Sequence, residues 1–188
     1  MAYLVAAVVL VGAVSLLDLL LTVGVIRRLR VLSGPAGRTG AGGPGLLPVG
    51  ATMTGFSTRT VDGVPITAGS LASPTLVGLF STECDLCREQ APRLAALVDR
   101  GGYPSNQVLG VVVGDPSATR PFLDALRERA RLVVEPVGGP VSAAFSAVTF
   151  PTFYLVDAAG TVRAAAADVD GLADAITGLG ALTRGQAG

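Results

Sequence analysis

The stretch "LFSTECDLCREQAPRL", Leu79–Leu94, holds the only two cysteines of the chain, Cys84 and Cys87, with two residues between them. An apolar run ends just before the pair and an amphipathic pattern begins just after it. Pro74–Phe80 reads as a buried strand from its β-branched and aromatic content. Asp85–Arg100 reads as a helix with Leu86, Leu94, Leu97 and Val98 on its apolar side and Gly101-Gly102 as its stop. The dithiol therefore stands where a strand hands over to a helix. The start of a helix offers unpaired N–H groups and a partial positive charge, and both stabilise a thiolate, the attacking form of cysteine. Cys84 at that start is the expected attacking sulfur. Cys87, one turn inside, is the expected resolving sulfur.

Other uses of two cysteines fit less well. A structural zinc site takes four ligands, and this chain offers two thiols and no histidine. A staple gains from closing a long loop, and a two-residue gap closes almost none. Reversible exchange between Cys84 and Cys87 remains as the leading reading, with no metal and no organic cofactor implied. Glu83 and Asp85 place two carboxylates on either side of Cys84. Like charge disfavours a thiolate and opposes the helix end, so both acids are expected to modulate the redox balance toward a reductant.

Outward from this point the chain alternates. "GFSTRTVDGVPIT", Gly55–Thr67, reads as two short extended pieces around the turn signal Asp62-Gly63. Val108–Val113 is a second buried strand and Leu132–Glu135 a short third. Ser117–Arg131 reads as a helix capped by Ser117, with Phe122, Leu123 and Leu126 on one face. Thr152–Asp157 and Thr161–Ala166 flank Ala158–Gly160 as a hairpin, and Asp170–Leu182 closes the chain as an amphipathic helix. Helices between continuously apolar strands predict a parallel central sheet covered on both faces, with antiparallel strands added at one side.

These motifs together resemble the thioredoxin superfamily, in its membrane-anchored TlpA-like branch; the MauD-like accessory thioredoxins are similar in layout. The resemblance rests on Cys84-Asp85-Leu86-Cys87 after a buried strand, on Pro92 inside the following helix, on Phe150-Pro151-Thr152, and on the hairpin "PTFYLVDAAGTV" with its closing helix. It implies an α/β thioredoxin-like fold, a central mixed sheet flanked by helices, preceded by one N-terminal transmembrane helix. It implies thiol-disulfide exchange with cysteines of a protein partner. It also implies a cis Pro151 facing the dithiol, with Phe150 and Thr152 binding an extended substrate strand. Pro92 removes a helical hydrogen bond and bends the helix. Three positions depart from the pattern: Glu83 replaces the usual tryptophan, Leu86 the usual proline, and Gly78 the buried acid six residues before the first cysteine. Two alternatives stay open. Ser81 and Cys84 fit the end of the peroxiredoxin motif P-x-x-x-[ST]-x-x-C, but Val77 stands at its proline. A non-enzymatic binding or accessory module, tethered to a membrane, is the other.

Before the domain, Ala2–Ile26 is apolar except for Ser15, Asp18 and Thr22. As a helix it reaches about 37 Å, enough to cross a hydrocarbon core of about 30 Å. The basic cluster follows the run and no cleavage site is evident, so an uncleaved anchor is expected. Asp18 inside it points to a membrane-protein partner or to a protonated carboxyl bonded to Ser15. Ser33–Leu47, with six glycines and two prolines in 15 residues, reads as a flexible linker. The expected organisation is thus anchor and basic flank over 1–32, linker over 33–47 and thioredoxin-like domain over 48–188. Arg27, Arg28 and Arg30 argue for a cytoplasmic domain by the positive-inside rule. The resemblance implies the extracytoplasmic side, and that is the placement expected, with the cytoplasmic one open. Net charge is zero, divided as +3 over the first 47 residues and −3 over the rest. The domain has no basic surface suited to tracking phosphates, so nucleic-acid binding is not expected.

Overall fold

The structure, a computed structural model, describes residues 45–185, with side chains over residues 45–180. The expected membrane span, Asp18, the basic flank and linker residues 33–44 lie outside the described residues. Among the described residues no helix is long and apolar enough to cross a membrane.

Two short strands, β1 (Ser57–Arg59) and β2 (Pro65–Thr67), pair antiparallel around a turn in which Gly63 takes φ +78°. The main sheet follows with β3 (Thr75–Ser81), β4 (Val108–Val113), β5 (Arg131–Glu135), β6 (Thr152–Val156) and β7 (Val162–Ala166). Its spatial order is β5-β4-β3-β6-β7. β3 and β4 are paired parallel, as are β4 and β5, while β6 runs antiparallel to both β3 and β7. This is the mixed sheet expected of a thioredoxin-like fold. The central position of β3 explains its composition: a strand flanked on both edges and covered on both faces is apolar from Leu76 to Phe80, with Thr75 and Ser81 only at its ends.

One face of the sheet is covered by α1 (Asp85–Gly101), α2 (Arg120–Leu126) and α4 (Val169–Gly185). There Phe80 meets Phe122 and Phe153, each at 5.6 Å between ring centroids. Leu94 of α1 packs over Gly78, where a β-carbon would lie 2.8 Å from the Leu94 Cδ2. The opposite face carries Phe56 and Ile66 from the β1–β2 segment, and Val141, Ala144 and Phe145 from α3 (Pro140–Ala144) with the residue after it. Phe145 stacks on Tyr154 at 4.9 Å.

Several local expectations are corrected. The helix read over Ser117–Arg131 is shorter: α2 has 7 residues, with Pro121 in its first turn. Ser117 does not cap it. Its amide donates to the Asp115 carboxylate at 2.8 Å, closing a single 3₁₀ turn ahead of the helix. Leu86 is half-exposed rather than buried, while Cys87 beside it takes the core position of this turn. The helix α3 was not expected. Its amide groups at Val141 and Ser142 donate to the buried Glu135 carboxylate at 3.0 and 2.7 Å, a cap supplied from the preceding strand. The last residues of the expected linker are not loose, since Leu46 and Leu47 pack on the second apolar face.

Candidate active site

Cys84 occupies the cap position of α1 with extended backbone angles, φ −110° and ψ 110°. This geometry leaves the first amides of the helix directed at its own sulfur, and the Cys87 N–H donates to the Cys84 Sγ at 3.1 Å. Cys84 is half-buried and Cys87 fully buried. The two are joined as a disulfide across a Cα separation of 5.2 Å. Cys84, expected from the sequence to attack, is the more exposed residue of the two, and Cys87, expected to resolve, the more buried.

The loop before Cys84 is held from several directions. The Thr82 amide donates to the Val113 carbonyl at 3.0 Å, carrying the β3–β4 pairing one residue further. The Thr82 hydroxyl oxygen accepts from the Asp115 amide at 3.1 Å. A β-carbon at Gly114, where φ is +128°, would collide with that hydroxyl, so glycine is needed there. The Cys84 amide donates to the Ser81 carbonyl at 3.3 Å, the Glu83 amide to the Ser81 Oγ at 3.2 Å, and the Ser81 amide to the Cys87 Sγ at 3.4 Å. Asp115 sits below the usual carboxylate range because the Ser117 amide and then its hydroxyl bond the ionised form.

Pro151 follows a cis peptide bond, as the resemblance implied. The Phe150 carbonyl oxygen lies 3.6 Å from the Cys84 Sγ. In the disulfide this sulfur carries no proton, so the contact is one of packing. In the dithiol a Cys84 thiol at this place can donate to that carbonyl. Phe150 is half-buried and touches both apolar faces. Thr152 is 1% exposed, so its side chain is closed to a visiting chain, and its backbone is opposite Leu79 in the sheet.

The two acids flanking Cys84 are not equivalent. Asp85 is nearly fully exposed and pairs with Arg88 at 3.1 Å. The same guanidinium donates to the Thr82 carbonyl at 3.2 Å, tying the first turn of α1 to the loop before it. Glu83 is exposed beside the sulfur with its backbone fixed by Ser81. Arg88 was missed in the sequence; its spacing three residues after Asp85 is the signal that finds it. Gly78 leaves no room for the buried acid that the resemblance implies at this position, because Leu94 and the Phe80 ring fill that volume. Among the described residues Glu135 is the one buried carboxylate, and its two oxygens are engaged by α3. Among the described residues no group of three or more histidine, cysteine or acidic side chains could hold a metal ion.

A family model described as the AhpC/TSA family matches residues 49–165. No curated protein matches the chain. Solved structures of the same fold include a thio-disulfide isomerase from Thermus thermophilus, 23% identical, covering 69% of this chain and 94% of that one with a TM-score of 0.52. A second is the C-terminal domain of a putative thiol-disulfide oxidoreductase from Bacteroides thetaiotaomicron, 17% identical over 69% and 94%, with a TM-score of 0.56. A third is a putative thiol:disulfide interchange protein DsbE from Chlorobium tepidum, 18% identical over 70% and 97%, with a TM-score of 0.54.

Proposed function

This chain belongs to the AhpC/TSA family and has the thioredoxin-like fold, and on that premise we propose that it is a membrane-tethered thiol-disulfide oxidoreductase that reduces disulfides of partner proteins. The observation that carries the reading is the Cys84–Cys87 disulfide at the start of α1, half-exposed on the Cys84 side and facing the Phe150 carbonyl before cis Pro151.

In the reducing direction the Cys84 thiolate attacks one sulfur of a substrate disulfide. The substrate S–S bond breaks, a Cys84–substrate disulfide forms, and one substrate sulfur leaves as a thiolate that takes up a proton. Cys87 then loses its proton and attacks the Cys84 Sγ. The mixed disulfide breaks, the Cys84–Cys87 disulfide forms, and the second substrate sulfur leaves and is protonated. Two electrons have passed from the dithiol to the substrate. The amide of Cys87 stabilises the attacking thiolate, and Glu83 opposes it. Arg88 partly offsets Asp85, so Glu83 is the main group biasing the pair toward a reductant. Equilibration with glutathione buffers tests this. A potential below about −200 mV is expected, and one near about −120 mV, as in the strongest thiol oxidases, defeats the reductant reading.

The apolar run Ala2–Ile26 supports the tether, and the resemblance supports an extracytoplasmic domain. A C-terminal reporter active on only one side of the membrane tests the placement. A membrane-protein partner at Asp18 belongs to the same reading and is tested by crosslinking from that residue. Peroxide reduction at Cys84 is the second reading, favoured by the family match and by Ser81 three residues earlier. Against it, Val77 is a fully buried strand residue at the motif's proline, and the Ser81 hydroxyl is engaged by the Glu83 amide. Comparing peroxide consumption with insulin disulfide reduction separates the two.

A further inference from the structure

The exchange reaction makes no use of the segment that leads into the domain, yet that segment is built against the site. Gly45 takes φ +92°, and a β-carbon there would lie 2.9 Å from the Thr149 Oγ1 and 3.4 Å from the Val148 Cγ2. Its backbone therefore rests directly on the two residues that precede Phe150. Leu46 and Leu47 pack in the same apolar cluster as Phe150, Phe145 and Tyr154. The Leu47 amide donates to the Tyr154 hydroxyl at 3.1 Å, a bond spanning 107 positions of sequence. Tyr154 is fully buried three residues after cis Pro151. Burial pushes its phenol up from the ordinary value, with the Leu47 amide acting the other way, so the hydroxyl keeps its proton at neutral pH. The loop held this way needs external support, because Ser146 at its start has φ +50°, a conformation that a residue with a side chain adopts at a cost.

We infer that Gly45–Leu47 is a positioning strap for the cis-proline loop, fixing the Phe150 backbone beside Cys84 so that a partner chain can be bound. The strap lies where composition alone reads free linker, and it acts through the loop rather than on the sulfurs. Its role in catalysis rests on the proposed disulfide exchange.

The test compares the full chain with Gly45→Val and with Tyr154→Phe, which removes the phenol and keeps the ring. Three quantities are read: amide hydrogen exchange at Ser146 and Ala147, the loop residues whose N–H groups donate to the Ala143 and Ser142 carbonyls, kcat and KM for insulin disulfide reduction, and the potential in glutathione buffer. Exchange at Ser146 and Ala147 is expected to accelerate about fivefold, the factor that one ordinary hydrogen bond supplies. KM is expected to rise by a similar factor with kcat and potential unchanged. Unchanged exchange or unchanged KM in both variants overturns the strap, and so does a shift of the potential, which would mean that the sulfurs themselves were disturbed. A wild-type chain that reduces no protein disulfide defeats the proposed activity instead, and the exchange measurement then decides the strap alone.

Discussion

Replacing Gly78 tests the claim that Leu94 and Phe80 fill the place where the resemblance implies a buried acid. A methyl group at Gly78 would lie 2.8 Å from the Leu94 Cδ2 and 3.1 Å from the Phe80 Cε2, closer than carbon atoms pack. Overpacking of this degree costs about 1–3 kcal/mol, offset by about 0.5–1 kcal/mol because alanine suits a strand better than glycine. Gly78→Ala is thus expected to destabilise by about 1–2 kcal/mol, lowering Tm by about 3–8 °C. Gly78→Asp adds a carboxyl group with no partner and is expected to cost about 4 kcal/mol or more. Leu94→Ala removes the obstructing side chain and by itself costs about 2–5 kcal/mol, since Leu94 is fully buried. If Leu94 occupies the acid's place, Gly78→Ala combined with Leu94→Ala must cost less than the sum of the two, by about 1 kcal/mol or more. Urea unfolding of the four species at pH 7 reads this coupling. A neutral Gly78→Ala, or strictly additive costs, would show that the volume at Gly78 is open and that the argument from packing is wrong.

Three further outcomes follow from the same geometry. Cys87→Ala is expected to leave Cys84 linked to substrate as a mixed disulfide visible on non-reducing gels, whereas Cys84→Ser traps nothing; trapping by Cys84→Ser would reverse the assigned roles. Glu135→Ala removes two bonds from a carboxylate to the amides of α3 and is expected to cost about 2–4 kcal/mol in urea unfolding, with Glu135→Gln intermediate. Asp157 sits below the usual carboxylate range, chiefly through the Thr161 amide, with Arg163 and the Ala159 amide adding to it. Its folded-state pKa is depressed, so its contribution to stability is fully present above the ordinary value of 3.8 and is lost as pH falls through the folded value. Asp157→Asn should therefore show a shallower loss of stability below about pH 4 than the wild type, measured by urea unfolding at stepped pH.

The parts of the fold that were legible in the sequence are those specified locally. β3, β4 and β6 carry continuous apolar runs because each lies between two neighbours, and such runs can be read one residue at a time. The dithiol was legible for the same reason, its strand-to-helix position being written in adjacent residues. Pro151 was found through its resemblance, since a proline before a strand has no local mark of its isomer. What escaped is held by distant partners. Five residues of α3 have no room for an amphipathic period, and their cap is a glutamate on β5. Leu46 and Leu47 follow a glycine-rich run, and what fixes them is a tyrosine in another strand. Leu86 was assigned to the buried side because its helical spacing is right, but the buried side of the first turns of α1 is taken by Cys87, Gln90 and Ala91.

Pro92 divides α1 between its first turn and the turns carrying Leu94 and Val98. It has no N–H to offer the Arg88 carbonyl, so the rod is notched one turn behind the sulfurs. In front of the notch Cys87, Gln90 and Ala91 are buried, and the first turn is further held by the partly exposed Thr82 contacts with Asp115 and Arg88, while behind it Leu94, Ala95 and Val98 are sealed in the core. Warming should loosen the forward piece first. An activity-versus-temperature curve falling several degrees before the far-ultraviolet melt is the signature of that order, and coincident curves would mean that the catalytic end and the sheet fail together.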